Sequence, residues 1–178
     1  MRRGEGLTAR SGTHGGVASD IVHGMTYRIT GLDPTCFAPL FELSDDELAT
    51  RSIVRMAVTT CPGFPCRVRL DDVTAGGTVL LLNHTSIAAG PYAASHAIFV
   101  SQGAARGDFQ DEIPPALDRR LLSLRAFDGT QMMVDAVMAA PGEADAAIRR
   151  LFENDAVEYI HAHNATRGCF AAAVERAA

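Results

Sequence analysis

The chain has 178 residues, 47% of them hydrophobic, which is enough for one domain with a sizeable core. Its net charge of -5 provides no basic face for nucleic acid, and all sixteen of its basic side chains are arginine, which excludes Schiff-base chemistry on a lysine, including the usual attachment of pyridoxal phosphate. Four cysteines are too few for a disulfide framework, and no apolar run is long enough for a signal peptide or a membrane span, so we expect reduced thiols, a cytoplasmic location and no membrane partner.

The first part of the chain differs in character from the rest. It is rich in Gly, Ser, Thr and Arg without a hydrophobic period, so residues 1–24 are predicted to be a flexible extension and residues 25–178 the globular domain. Within the domain, alternation over residues 26–30 predicts a short strand. The capping-box spacing of Ser44 and Glu47 then predicts a helix that ends near residue 51.

Prolines and Gly63 make residues 61–66 a rigid turn that cannot be helical. Alternation after this turn predicts a strand over residues 66–70, with Arg67 and Arg69 on one face and apolar side chains on the other. Two guanidinium groups on one face indicate either a solvated sheet edge or a site that holds an anion.

Two histidines lie near the next predicted strands. The apolar run 79–83 predicts a buried strand, and the loop predicted at residues 84–91 begins with His84. Residues 96–100 predict another strand, with His96 at its start. A histidine at a strand start usually caps backbone groups, but the position also suits a site residue.

A hairpin and a helix are predicted further along. Residues 121–128 and 131–138 flank a Gly-Thr turn, which favours a β-hairpin, and Arg125 and Asp128 in its first strand could form a structural ion pair. Residues 141–153 have the clearest amphipathic helical pattern in the chain, so we expect this helix to pack on the sheet.

The segment Tyr-Ile-His-Ala-His-Asn at residues 159–164 is the strongest functional lead. Side chains alternate along a strand, so Tyr159, His161 and His163 should share one face. Their imidazole nitrogens need partners if they are buried, and they can transfer protons if they are accessible. Asn164 follows them directly.

The predicted elements do not follow a regular β-α-β order. They are short strands with about three helices, which favours a single α+β domain with a mostly antiparallel sheet and the helices packed on it.

Several collinear segments, at residues 31–34, 62–67, 79–83, 91–100, 121–128, 159–165 and 168–169, together resemble a bacterial family known only as domain of unknown function 1203. The resemblance covers nearly everything from Met25 onwards and implies one domain beginning there, but no activity and no catalytic residue. The chain differs from that pattern in its N-terminal extension, at Cys61, and in the loop that starts at His84, where the resemblance implies a different specificity if the loop lines a site.

The residue types favour a small-molecule enzyme or binder. A pocket that gathers His161, His163 and His96 as catalytic groups would suit acid–base chemistry. The predicted groups that hold an anionic metabolite are Arg67, Arg69, Arg125, Asn164 and His84. A variant places a divalent metal on His161 and His163, with His96 or a carboxylate as the third ligand, although no carboxylate lies at a short spacing from them.

Two other functions stay open at this point. The histidines and arginines could form a buried polar network in a non-catalytic sensor or assembly protein, and a homodimer is compatible with the sequence. The alternating histidines are also similar to the strand of histidine-triad nucleotide hydrolases, although the next alternate position is Ala165. Whether the protein is an enzyme is not decided by the sequence.

Overall fold

The computed structural model describes Met1 and residues 25–177, so nearly all of the predicted extension lies outside the described residues. In this part of the chain the strands are β1 (Thr26–Thr30), β2 (Val54–Ala57), β3 (Thr78–Ile87), β4 (Ala94–Ser101), β5 (Asp108–Gln110), β6 (Leu122–Phe127), β7 (Met133–Ala139), β8 (Tyr159–Asn164) and β9 (Phe170–Ala177). They form a six-stranded sheet in the order β5-β1-β9-β8-β6-β7 and a three-stranded sheet in the order β2-β3-β4. All neighbouring strands pair antiparallel, which confirms the predicted α+β class.

The helices are short and have recognisable sequence signals. They are α1 (Asp45–Thr50), α2 (Pro115–Asp118) and α3 (Ala144–Phe152), and two 3-10 helices span Pro34–Cys36 and Ala38–Glu42. The predicted capping box is present, because Ser44 Oγ accepts from the Glu47 N–H and the Glu47 carboxylate accepts from the Ser44 N–H. The longest of them, α3, buries one apolar face. It has two arginines in its last turn, where positive charge interacts favourably with the helix dipole.

The apolar side chains form two clusters. One joins the six-stranded sheet to α3 and includes Leu124, Ile148 and Ile160. The other joins the three-stranded sheet to the N-terminal helices and includes Leu48 and Ile98. The sequence pattern predicted one sheet, whereas the described residues contain two, and the histidines lie where these two sheets meet.

Three local predictions were wrong. Residues 66–70 form a tight turn, in which the Leu70 N–H donates to the Cys66 carbonyl and Leu70 has a φ of 58°. The predicted loop at residues 84–91 is partly strand, because β3 continues to Ile87. The third error concerns Asp128, which accepts backbone N–H groups from its own turn and forms no ion pair with Arg125.

Strand β7 forms one edge of the six-stranded sheet. Two of its apolar side chains are exposed, those of Val134 and Met138. Between them, the Asp135 carboxylate accepts the Ala136 N–H at 2.7 Å, so that this edge N–H is satisfied within its own chain. No helix among the described residues has the length and apolar character needed to cross a membrane.

Candidate functional site

Strand β8 presents its two histidines on the same face, as the alternation predicted. The His161 and His163 ring centres lie 6.1 Å apart, and the Tyr159 ring lies 5.1 Å from that of His161. On the neighbouring strand β6, Arg125 is the register partner of His161 and Ser123 that of His163. The larger sheet therefore supplies two imidazoles and a guanidinium to one face.

The smaller sheet supplies the other two imidazoles. His84 on β3 and His96 on β4 are register partners, and the His96 ring centre lies 4.9 Å from that of His163, edge to face. The Phe170 ring contacts both sheets, at 5.5 Å from His84 and 5.0 Å from His161. We call these four histidines the histidine cluster.

Burial keeps the histidine cluster uncharged. His161 and His163 are 6% and 2% exposed, and burial lowers the pKa of each to about 4, because water is not available to solvate the charged ring. Burial also lowers the pKa of His84 and His96, with smaller contributions from neighbouring positive groups that include Arg67. The imidazoles of His161 and His163 are therefore neutral at pH 7.

Hydrogen bonding fixes the tautomer of one ring. His163 Nδ1 lies 3.1 Å from the Gly168 carbonyl oxygen, which can only accept, so the proton is on Nδ1 and Nε2 is unprotonated. His96 Nε2 and His161 Nδ1 are buried and have no hydrogen-bond partner among the described residues. Buried polar nitrogens of this kind usually bind an internal water or a ligand.

The metal variant finds no preformed site. The His96 ring lies 4.9 Å from that of His163, but in residues 25–177 no group of three or more His, Cys, Asp or Glu side chains is arranged to hold a metal ion.

A cleft of about 520 Å³ opens next to the histidine cluster. Four arginines line it, and we call it the arginine cleft. None of the four histidines is among its lining residues, which are Gly63, Pro65, Arg67, Leu81, Ala97, Phe99, Arg119, Arg120, Leu121, Asn164, Thr166, Arg167 and Cys169. The chain segments that meet here are the turn before Arg67, the end of α2 and the β8–β9 turn.

Arg67 is the most buried of these arginines, with 3% exposure. Its Nε donates to the Phe170 carbonyl at 2.8 Å and its Nη1 donates to the Pro65 carbonyl. No carboxylate lies within ion-pair distance of it among the described residues. Burial lowers the pKa of Arg67 to about 10, which still leaves the guanidinium charged at pH 7.

Asp72 fixes the two arginines at the end of α2. Its side chain is fully buried, and it accepts from Arg120 at 2.6 and 2.9 Å, from Arg119 at 3.1 Å and from the Gly63 N–H at 3.1 Å. Burial alone would raise the pKa of Asp72, but the hydrogen bond from Arg120 and the other donors hold it below its ordinary value. The carboxylate is therefore ionised and neutralises part of the charge in the arginine cleft.

The predicted site residues thus fall into three groups. His84, His96, His161, His163 and Arg125 lie together in or beside the histidine cluster, where Arg125 Nε is 3.4 Å from Ser123 Oγ. Arg67 and Asn164 line the arginine cleft. Arg69 belongs to neither group, because in the turn it points away from Arg67 to a second hollow beside Phe109.

Sequence reasoning missed Arg119, Arg120 and Arg167 as site residues. The Arg119–Arg120 pair follows a proline-initiated helical turn, and Arg167 lies in the turn between two strands, so each has a local signal of the kind typical of binding loops. What the sequence did not show is that these segments, 63–67, 119–121 and 164–169, meet in space.

Comparison with known proteins agrees with the resemblance in the sequence. No curated protein and no solved structure was found that matches the chain. Residues 63–176, which include the arginine cleft and the histidine cluster, match the family described as "Protein of unknown function (DUF1203)". The match covers more than half of the chain, and the protein therefore belongs to the DUF1203 family.

Proposed function

We propose that the protein binds a small anionic metabolite in the arginine cleft. The observation that carries this proposal is Arg67, a buried guanidinium without a carboxylate partner among the described residues, on the wall of a cleft. A buried charge without a counter-ion lowers the stability of a protein by several kcal/mol, and an anionic ligand beside it offsets that loss. Guanidinium groups also match the geometry of carboxylates and phosphates.

Three of the four arginines, Arg67, Arg119 and Arg120, are held in place before any ligand binds. Backbone carbonyls hold Arg67, and the Asp72 carboxylate holds Arg119 and Arg120. Little side-chain entropy is then lost when an anion binds, which favours affinity. The net charge of -5 supports a small ligand over a nucleic acid, because four of the sixteen arginines line one cleft while the chain as a whole is acidic.

In this proposal the histidine cluster has a structural role. The observation that favours it is that His163 donates to a backbone carbonyl and that both β8 histidines are almost fully buried. A pKa of about 4 makes each of them a weak base near neutrality, which is poor for general base catalysis. The role we assign to these rings is packing between the two sheets as neutral groups. A cytoplasmic location and acid–base catalysis stay predictions.

Titration calorimetry with inorganic phosphate at fixed ionic strength tests the binding proposal. We expect the wild type to bind phosphate and Arg167→Ala to bind about tenfold more weakly, the low end for a hydrogen bond to a charged group because Arg167 is exposed. The matched control is Arg150→Ala, which removes another exposed arginine, from α3 and outside the cleft. Arg67→Met should abolish binding.

The Arg67 variant needs its own check of folding, because it leaves two backbone carbonyls without a donor. Circular dichroism and thermal unfolding provide it. Arg167→Ala removes no internal hydrogen bond of the described residues, so its result stands even where Arg67→Met fails to fold. Absence of phosphate binding to the wild type, or equal loss in Arg150→Ala and Arg167→Ala, would contradict the proposal.

A further inference from the structure

The arginine cleft has more positive than negative charge. Four guanidinium groups line it, and the carboxylates paired with them are Asp72, with Arg119 and Arg120, and Asp71, which lies 3.5 Å from Arg119. Four positive groups against two carboxylates leave two positive charges, those of Arg67 and Arg167. Two uncompensated charges match a dianion better than a single carboxylate, and a phosphate monoester carries a charge of about -1.5 to -2 at pH 7.

A second observation concerns the polar group that stands beside these charges. Asn164 lines the cleft, and its Oδ1 is buried without a hydrogen-bond partner among the described residues. Its backbone is already used in the β8–β9 turn, where the N–H donates to the Cys169 carbonyl and the carbonyl accepts from Gly168. An amide oxygen without a partner is unfavourable, and a hydroxyl group in the cleft can pair with the Asn164 amide whichever way it is turned, because a hydroxyl both donates and accepts.

The remaining wall of the cleft is apolar. Leu81, Ala97 and Phe99 line it from the smaller sheet, and Leu121 lines it from the position just before β6. A free inorganic ion would leave this wall in contact with water, whereas the carbon atoms of an organic ligand would cover it.

We infer that the ligand of the arginine cleft is a phosphate monoester of a hydroxylated carbon chain, with the phosphate between Arg67 and Arg167, a hydroxyl on the Asn164 amide and the carbon atoms on the apolar wall. This inference rests on the proposed function and adds to it the charge, the hydroxyl group and the organic part of the ligand.

A series of small ligands separates these features. Methyl phosphate, propyl phosphate and glycerol 3-phosphate have the same anionic group. Propyl phosphate and glycerol 3-phosphate also have the same three-carbon skeleton, which carries hydroxyl groups only in glycerol 3-phosphate. Titration calorimetry should show tighter binding of propyl than of methyl phosphate, by about fourfold for each CH₂ that becomes buried. Glycerol 3-phosphate should bind at least about tenfold more tightly than propyl phosphate, because one of its hydroxyl groups pairs with the Asn164 amide.

The variant Asn164→Leu keeps the size of the side chain and removes its polar atoms. We expect it to lose the preference for glycerol 3-phosphate over propyl phosphate. Equal affinities for propyl and glycerol phosphates in the wild type, or an unchanged preference in the variant, would overturn the hydroxyl contact. Glycerate, a single carboxylate with the same hydroxyls, should bind at least about tenfold more weakly than glycerol 3-phosphate, and equal binding would overturn the dianion.

The outcomes also distinguish this inference from the proposed function. Binding of inorganic phosphate and methyl phosphate without discrimination in the series would leave the anion site in place and refute the ligand class. Failure of every phosphate compound to bind would refute both.

Discussion

Asp72 has a fully buried carboxylate that accepts hydrogen bonds from two arginines and from a backbone N–H. The charge of the arginine cleft depends on this carboxylate, because without it Arg119 and Arg120 would repel each other and Arg67. At the scale of single residues, the site thus combines a buried carboxylate paired with two arginines, Asp72, and a buried guanidinium without a carboxylate partner among the described residues, Arg67.

Replacement of Asp72 by Asn should lower the free energy of unfolding by about 3 kcal/mol, the low end for a broken buried ion pair because Arg119 keeps access to water. Urea unfolding followed by circular dichroism measures this loss. The matched control is Asp118→Asn on α2, an exposed carboxylate that should change stability by no more than about 0.5 kcal/mol. A similar small change in both variants would show that the Asp72 pairs contribute little.

Sequence reasoning identified part of the site at this scale. The period of two in β8 was enough to predict that His161 and His163 share a face. It was not enough to show that the rings are buried, because the second sheet that covers them comes from residues 78–101. The arginine cleft could not be predicted for the same reason, since its arginines come from three segments that are distant in the sequence.

At the scale of elements, the turn that carries Arg67 is fixed by its contact with the end of β1. The Leu32 N–H donates to the Arg67 carbonyl at 2.8 Å, and Gly31 lies so close that a Cβ there would stand 1.7 Å from the Val68 carbonyl oxygen. Only glycine allows this approach. The position of Arg67 therefore depends on a residue in another element.

Gly31→Ala should push the turn away from β1, because the added methyl group meets a backbone atom that cannot rotate out of its path. We expect stability to fall by about 3 kcal/mol, the upper part of the range for overpacking, and phosphate affinity to fall with it. Thermal unfolding and calorimetry measure the two effects. Gly129→Ala is the control, since nothing lies within 4 Å of the added atom, and it should leave both unchanged.

This turn also explains why its secondary structure was predicted wrongly. Cys66, Val68 and Leu70 are each 1% exposed, so the apolar alternation that indicates a strand is real. A tight turn between packed segments can bury alternate apolar residues in the same way without an extended backbone. Arg67 is buried and Arg69 exposed because of contacts with residues distant in the sequence. The short strands β2 and β5 were missed because they lie at sheet edges and are too short for a period to be recognised.

At the scale of the whole molecule, the two sheets meet at the histidine cluster, and this contact depends on neutral rings. The pKa values of His161 and His163 are about 4 in the folded protein, compared with 6.5 for an ordinary histidine. Between these values the unfolded chain binds more protons than the folded one, so stability is complete above pH 6.5 and is lost as the pH falls towards 4.

We expect the free energy of unfolding to fall by about 2 kcal/mol for each of these two imidazoles between pH 7 and pH 5. Urea unfolding at a series of pH values measures the slope. His161→Phe, which keeps an aromatic ring against Phe170, should remove about half of it. The buried carboxylate of Asp72 adds its own loss only at lower pH, since its pKa is below the ordinary value of 3.8. A constant stability across this range would contradict neutral, buried histidines.

The Asp135 carboxylate on the edge strand β7 affects how this edge can pair with a second chain. Any second chain that extends the sheet at this edge needs the Ala136 N–H, and Asp135 already occupies that donor from within the molecule. The carboxylate is thus an intramolecular competitor for strand addition, placed between Val134 and Met138, the exposed apolar side chains that would otherwise promote it. A homodimer formed through β7, like the first step of aggregation, has to displace this side chain before its added strand can accept a hydrogen bond from Ala136.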